Sequence, residues 1–125
     1  MEGFALKIQE SAENYLETIL ILGQKNGNVR SIDIAHELEF KKPSVSVAMK
    51  NLRENGYIRV DDNGFITLTE SGRQIAETMY ERHLLFSQWL MDLGVNEKTA
   101  VEDACKMEHV LSQESFAAIK KHLNG

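Results

Sequence analysis

Ser31-Ile32-Asp33-Ile34-Ala35-His36-Glu37-Leu38-Glu39-Phe40-Lys41-Lys42-Pro43-Ser44-Val45-Ser46-Val47-Ala48-Met49-Lys50-Asn51-Leu52-Arg53-Glu54-Asn55-Gly56 is the stretch that decides the fold. Ser31 reads as an N-cap, and Ile32, Ala35 and Leu38 form the apolar stripe of a short helix reaching about Glu39. Phe40-Lys41-Lys42 is a short turn. Pro43 suits the first turn of a second helix, where amides have no intrahelical partner and a missing N–H costs nothing. That helix turns Val45, Met49 and Leu52 inward, and Asn55-Gly56 stops it. Tyr57–Val60 and Phe65–Leu68 follow as two β-prone runs joined by Asp61-Asp62-Asn63-Gly64. Asn-Gly between such runs is a strong hairpin signal. Two helices joined by a tight turn and followed directly by a hairpin make a winged helix-turn-helix. The absence of glycine from the turn weakens that reading, while Pro43 and the Asn-Gly wing strengthen it.

Upstream, Tyr15, Leu16, Ile19, Leu20 and Leu22 recur as one helical face after an N-cap expected at Ser11 with Asn14 three residues on, and Gly23 with Asn26-Gly27-Asn28 ends it. Downstream, Thr69-Glu70-Ser71-Gly72 leads into a long helix from about Ser71 to Leu93, with Ile75, Met79, Leu85, Trp89 and Leu90 apolar and Gly94 as its stop. Another helix starts at Asn96 or Thr99 and reaches Leu111, and Ser112 caps a last one carrying Phe116, Ile119 and Leu123. The expected fold is therefore mainly α. An N-terminal winged helix-turn-helix with a two-stranded wing spans 1–72, and a helical domain spans 73–125.

With 125 residues, 42% hydrophobic and 26% charged, the chain has the ordinary balance of a globular protein with a small helical extension. No apolar run approaches a membrane span, and the start has no basic segment followed by an apolar one, so neither membrane nor secretion is expected. Cys105 is the lone cysteine, which rules out an intrachain disulfide and fits a reducing cytoplasm. The net charge of −5 argues at first against nucleic acid. Between Lys25 and Val60, however, Lys25, Arg30, Lys41, Lys42, Lys50, Arg53 and Arg59 face only four acids, a local +3. A basic window in an acidic chain suits a DNA reader, although charge alone fits a solvated surface equally well.

In a winged helix the N-terminal part of the second helix meets base edges in the major groove. Lys41, Lys42, Ser44 and Ser46 sit at or near that end, Val47 offers methyls to a thymine, and Lys50 lies one turn on. The backbone amides behind Pro43 and Ser44 can hold a phosphate at the helix N-terminus. Arg59 on the wing is placed for a phosphate or the minor groove, whereas Asp61 and Asp62 should keep the wing tip off the backbone.

Glu102, Cys105, Glu108 and His109 fall at i, i+3, i+6 and i+7 of one expected helix, within roughly a third of its circumference at about 100° per residue. Thiolate, carboxylate and imidazole together form a ligand set for borderline divalent ions. A structural cysteine beside a surface Glu-His pair accounts for the same pattern.

Three stretches carry a family resemblance. They are Glu13-Asn14-Tyr15-Leu16-Glu17-Thr18-Ile19, Tyr80-Glu81-Arg82-His83-Leu84-Leu85, and Ala104-Cys105-Lys106-Met107-Glu108-His109-Val110-Leu111-Ser112. With the helix-turn-helix pattern Asp33-Ile34-Ala35, Pro43-Ser44-Val45-Ser46 and Leu52-Arg53-Glu54-Asn55-Gly56-Tyr57, the chain resembles the diphtheria-toxin-repressor family of manganese- and iron-dependent regulators, from Ser11 to about Ile119. The resemblance implies that Cys105, Glu108 and His109 are metal ligands of the dimerisation helix and that His83 is one on the long connecting helix. It implies Glu17 as a first-helix ligand of the manganese-type branch, with Asn14 where that branch has aspartate and the iron-type branch methionine. Ser87 and Val101 replace an acid and a histidine of the iron-type ancillary site, which argues against that site here. His36 and His122 match nothing, and Glu102 reads as a solvated acid. The end at Gly125, without the third domain of longer relatives, points to the short two-domain manganese-transport-regulator-like branch.

The function this implies is a repressor that binds palindromic operator DNA as a homodimer when loaded with Mn2+ or Fe2+ and controls metal uptake. Zn2+ or Co2+ would also bind in vitro, following the Irving–Williams order. The ion would act as a clamp, neutralising carboxylates and fixing the spacing of the two reading helices. A winged-helix regulator not controlled by metal, a metal-dependent hydrolase and a protein-binding winged helix stand as alternatives. No nucleophile paired with a base supports the hydrolase, and no small-molecule substrate is expected.

Overall fold

The computed structural model describes the backbone of residues 2–125 and the side chains of residues 10–125. In chain order the elements are α1 (Glu2–Asn26), α2 (Ser31–Leu38), α3 (Lys42–Glu54), β1 (Ile58–Val60), β2 (Ile66–Leu68), α4 (Glu70–Asp92), α5 (Glu97–Met107) and α6 (Gln113–Asn124). They form two compact units, residues 1–77 and 78–125, and the division falls inside α4. Among the described residues, no helix is long and apolar enough to cross a membrane.

The first unit is a winged helix-turn-helix. Leu16, Ile19 and Leu22 of α1 meet Ile34 and Ala35 of α2, Val45, Met49 and Leu52 of α3, and Ile58 and Ile66 of the wing. Each fully buried aliphatic side chain of this kind contributes about 1.5–3 kcal/mol relative to exposure. The apolar stripe of α2 differs from the expected one: Ile34 is buried and Ile32 exposed. Ser31 is the first helical residue rather than the cap; Arg30 takes that place, and its N–H donates to the Asp33 carboxylate at 2.9 Å. The turn into α3 needs no glycine because Glu39 adopts the left-handed conformation itself, at φ 57°, while Phe40 N–H donates to Ala35 O at 3.0 Å. Pro43 lies in the first turn of α3, and Gly56, at φ 78°, follows the C-cap Asn55.

Helix α1 starts at Glu2, so Ser11 lies within it and is not an N-cap. The wing strands pair antiparallel, with Ile58 opposite Leu68 and Val60 opposite Ile66. Their connection is longer than a two-residue Asn-Gly turn. The Asp61 carboxylate accepts from the amides of Asn63 and Phe65, both at 2.9 Å, and Gly64 takes φ 82°. Asp61 is therefore a fastener of the wing turn. Arg30 lays its guanidinium over the Phe65 ring, 4.4 Å from the centroid.

The start of α4 is tied to the loop after α3. Thr69 N–H donates to Tyr57 O, and its hydroxyl donates to Gly56 O at 2.7 Å. Gly72 is buried against the same loop, where an added Cβ would stand 2.1 Å from Tyr57 O. Backbone cannot yield as a flexible side chain can, so Gly72→Ala is expected to cost about 1–3 kcal/mol, as overpacking does. Urea denaturation reads this as a lower midpoint. An unchanged midpoint would mean that the start of α4 can leave Tyr57 freely.

The second unit packs Phe86 of α4, Ala104 of α5 and Phe116 of α6 into a separate small core, with Leu85, Trp89, Met107, Leu111 and Ile119 around it. Phe86 and Phe116 meet edge to face, 5.8 Å apart at 79°. Asn96 caps α5 by accepting from Lys98 N–H, and Ser112 caps α6 by accepting from Ser115 N–H. Helix α5 ends at Met107, short of the expected Leu111. Glu108 is its C-cap, and a turn carries His109 and Val110 toward Ser112. Arg82, buried on α4, accounts for the early end. Its guanidinium donates to the carbonyls of Glu108 (3.0 Å) and Leu111 (2.7 Å) and to Gln113 Oε1 (3.2 Å). These carbonyls thereby gain donors that a continuing helix would otherwise have supplied.

Candidate metal centre

Within the second unit, α4 supplies His83 and the end of α5 supplies Glu108 and His109. Glu108 is fully buried, at 0% exposure. Its carboxylate lies between two imidazoles: His83 Nδ1 is 3.4 Å from Oε2, and His109 Nε2 is 3.3 Å from Oε1. A carboxylate taken out of water is expensive unless a cation or hydrogen bonds compensate it. Two imidazole nitrogens facing one buried carboxylate are either an ion-paired triad or the donors of a divalent cation. An N2O donor set suits manganese, iron and zinc alike. The residues present thus fit a borderline divalent ion, whose positive charge would compensate Glu108.

The local structure holds this arrangement from both sides. Arg82 and His83 are neighbours on α4, and they take opposite ends of Glu108: Arg82 its carbonyl, His83 its carboxylate. The buried Ser87 hydroxyl donates to His83 O at 2.7 Å and so fastens its own helix. Sequence reasoning brought together His83, Glu108 and His109 but gave Arg82 no role. Its partners are 26, 29 and 31 residues away, and nothing local in the sequence marks them.

The remaining expected ligands are placed as follows. Cys105, one turn before Glu108 on α5, is exposed. Glu102 is exposed on the same helix, so the four-residue face expected of one helix is not formed: His109 has left α5. Glu17 is buried on α1 and Asn14 half-buried there, with its backbone carbonyl accepting from the Thr18 hydroxyl at 2.8 Å. Burial pushes the neighbouring Tyr15 phenol up from its ordinary range. His36 and His122 are exposed.

The expected DNA-reading residues share the surface of the first unit. Lys41, Lys42, Ser44, Ser46, Val47 and Lys50 are all exposed on or at the start of α3, opposite its buried Val45, Met49 and Leu52. Val47 is 60% exposed on this face. Arg59 is exposed on β1.

Comparisons with known proteins bear on both units. Residues 7–64 match the family described as iron dependent repressor, N-terminal DNA binding domain. Residues 69–125 match iron dependent repressor, metal binding and dimerisation domain. The chain is 36% identical over 115 residues to an uncharacterized HTH-type transcriptional regulator of Methanocaldococcus jannaschii, covering 90% of this chain and 92% of that one. It is 34% identical over 110 residues to the transcriptional regulator MntR of Salmonella typhimurium, covering 88% and 70%. Among solved structures it resembles a manganese-dependent transcriptional repressor in complex with manganese, with TM-score 0.79 and 29% identity over 90% of this chain. The manganese regulator SloR matches with TM-score 0.80 and 27% identity over the same share. The chain spans about half the length of these two solved chains, 52% and 53%. The chain therefore belongs to the iron-dependent, or diphtheria-toxin-repressor, family in its MntR-like branch, and it is a transcriptional regulator rather than an enzyme.

Proposed function

We propose that this protein is a metal-dependent transcriptional repressor of the cytoplasm that binds palindromic operator DNA as a homodimer when loaded with Mn2+ or Fe2+, and so controls metal-ion uptake. The observation that carries this reading is the fully buried Glu108 carboxylate between His83 and His109, inside the region matched by the metal-binding and dimerisation domain. His83, Glu108 and His109 hold the ion. The sequence motifs support Cys105 and Glu17 as further ligands, and Asn14 as a weaker one, because a neutral carboxamide oxygen is a poorer donor than a carboxylate. Bound metal supplies positive charge at the carboxylates, and it shifts the protein toward operator binding to the extent that it binds that state more tightly.

The exposed face of α3 reads the DNA. Lys41 and Lys42 contact phosphate, Ser44, Ser46, Val47 and Lys50 approach base edges, and Arg59 reaches from the wing. Lys42→Ala is expected to weaken binding about equally across sequences and to lower the slope of log affinity against log salt by about 1. Fluorescence anisotropy at several salt concentrations measures this, and an unchanged slope would remove Lys42 from the phosphate contacts. The wider test is selection from a random duplex pool, under anaerobic conditions, with Mn2+, with Fe2+ and with neither. Enrichment of a palindrome only with metal is expected; equal enrichment without metal would leave a winged-helix regulator under other control.

A further inference from the structure

We propose that Arg82 is a positioning residue of the metal centre, setting metal affinity by holding the turn that presents Glu108 and His109. This rests on the metal reading of that site. Arg82 is 5% exposed, and among the described residues its guanidinium meets no carboxylate. Its hydrogen bonds go to two backbone carbonyls and one carboxamide oxygen, its Nε has no partner among the described residues, and its face lies 5.0 Å from the Phe116 ring centroid. A cation buried without an anion is costly, so its position needs a cause beyond neutralising charge.

That cause is the geometry of residues 108–113. The chain leaves α5 at Glu108 and enters α6 at Gln113. Both carbonyls accept from one terminal nitrogen, Nη1, of a rigid planar guanidinium whose Nη2 donates to Gln113, so the plane of the group sets where the two carbonyls lie. With the Glu108 carbonyl and the Leu111 carbonyl both pinned, the backbone that carries Glu108 and His109 is held where the Glu108 carboxylate lies between His83 and His109. Groups that orient a metal's ligands from outside typically contribute 10–100-fold to affinity. The same grip reaches α6 through Gln113 and Phe116, so the turn carrying two ligands and the last helix are held by one side chain.

Arg82→Lys tests this in the full chain, because lysine keeps the charge and stem but cannot grip two carbonyls and a carboxamide from one plane. Calorimetric titration with Mn2+ and the visible spectrum of the Co2+ form are read beside far-UV circular dichroism. The expected result is a folded variant that binds Mn2+ at least about tenfold more weakly, with altered Co2+ bands, which a loss of stability alone would not produce. Wild-type affinity with an unchanged Co2+ spectrum overturns the proposal. If Arg82→Lys does not fold, Gln113→Leu is read instead; it removes one contact of the fork, and weaker Mn2+ binding with altered bands supports the proposal while unchanged values overturn it. Failure of the wild type itself to bind Mn2+ or Co2+ would instead strike the metal reading.

Discussion

Glu108→Gln is expected to lower the Mn2+ affinity of the protein by at least about 100-fold, beyond what loss of an orienting group outside the ligand set costs, while the fold persists. Glutamine has the shape of glutamate but lacks its charge and presents N–H donors where metal needs lone pairs. Glu108 is the fully buried member of the His83–Glu108–His109 cluster, where bulk solvent does not reach to replace a lost anionic ligand. Stability should change little or rise. The substitution removes a buried charge while keeping the shape of the side chain. Calorimetric titration of Mn2+ gives the affinity and urea denaturation of the metal-free protein gives the stability. A loss of tenfold or less would show that the ion does not depend on Glu108. An unfolded variant would assign the cluster a structural role in place of a binding one.

Phe86→Ala should be the most destabilising single change in the second unit. Phe86 has no exposed surface and sits against Ala104 and Phe116 in a core of few side chains. Truncating a buried phenylalanine costs about 3–5 kcal/mol through lost transfer energy and the cavity left behind. It also breaks the edge-to-face pair with Phe116, the ring over which Arg82 lies. A loss of that size is a large part of the 5–15 kcal/mol typical of a whole domain. Alanine at 86 is therefore expected to abolish Mn2+ binding through unfolding of the second unit, and Phe86→Leu to do so only in part. Urea denaturation of the metal-free protein, followed by Trp89 fluorescence, measures both. A shift below about 1 kcal/mol for alanine would mean that this core collapses around the gap and contributes little.

The helix-turn-helix was legible because its signals are local. Pro43 opens α3, Val45, Met49 and Leu52 follow at helical spacing, and Asn55-Gly56 closes it. The wing was legible from its two β-prone runs, but its turn was not, because the Asp61 carboxylate, and not the Asn-Gly pair alone, organises five residues. On α2, Ile32 and Ile34 are equivalent by composition, and only packing against α1 and α3 chooses Ile34. The candidate centre was half legible. His83, Glu108 and His109 carry ligand chemistry in their side chains, and the family motifs linked them across 26 residues of chain. The end of α5 was not legible, because the donors that stop it come from Arg82, far away in sequence. Four ligands on one helix face was accordingly the wrong geometry: α4 and the turn after α5 build the cluster together.

The central claim is that a divalent ion at His83, Glu108 and His109 controls DNA binding. Its most direct test is an anisotropy titration of the wild-type protein on the selected palindrome at fixed salt, first with Mn2+ and then with excess chelator. Tight binding that appears with Mn2+, disappears with chelator and returns when metal is restored is the expected result. Binding of equal strength throughout would contradict the claim.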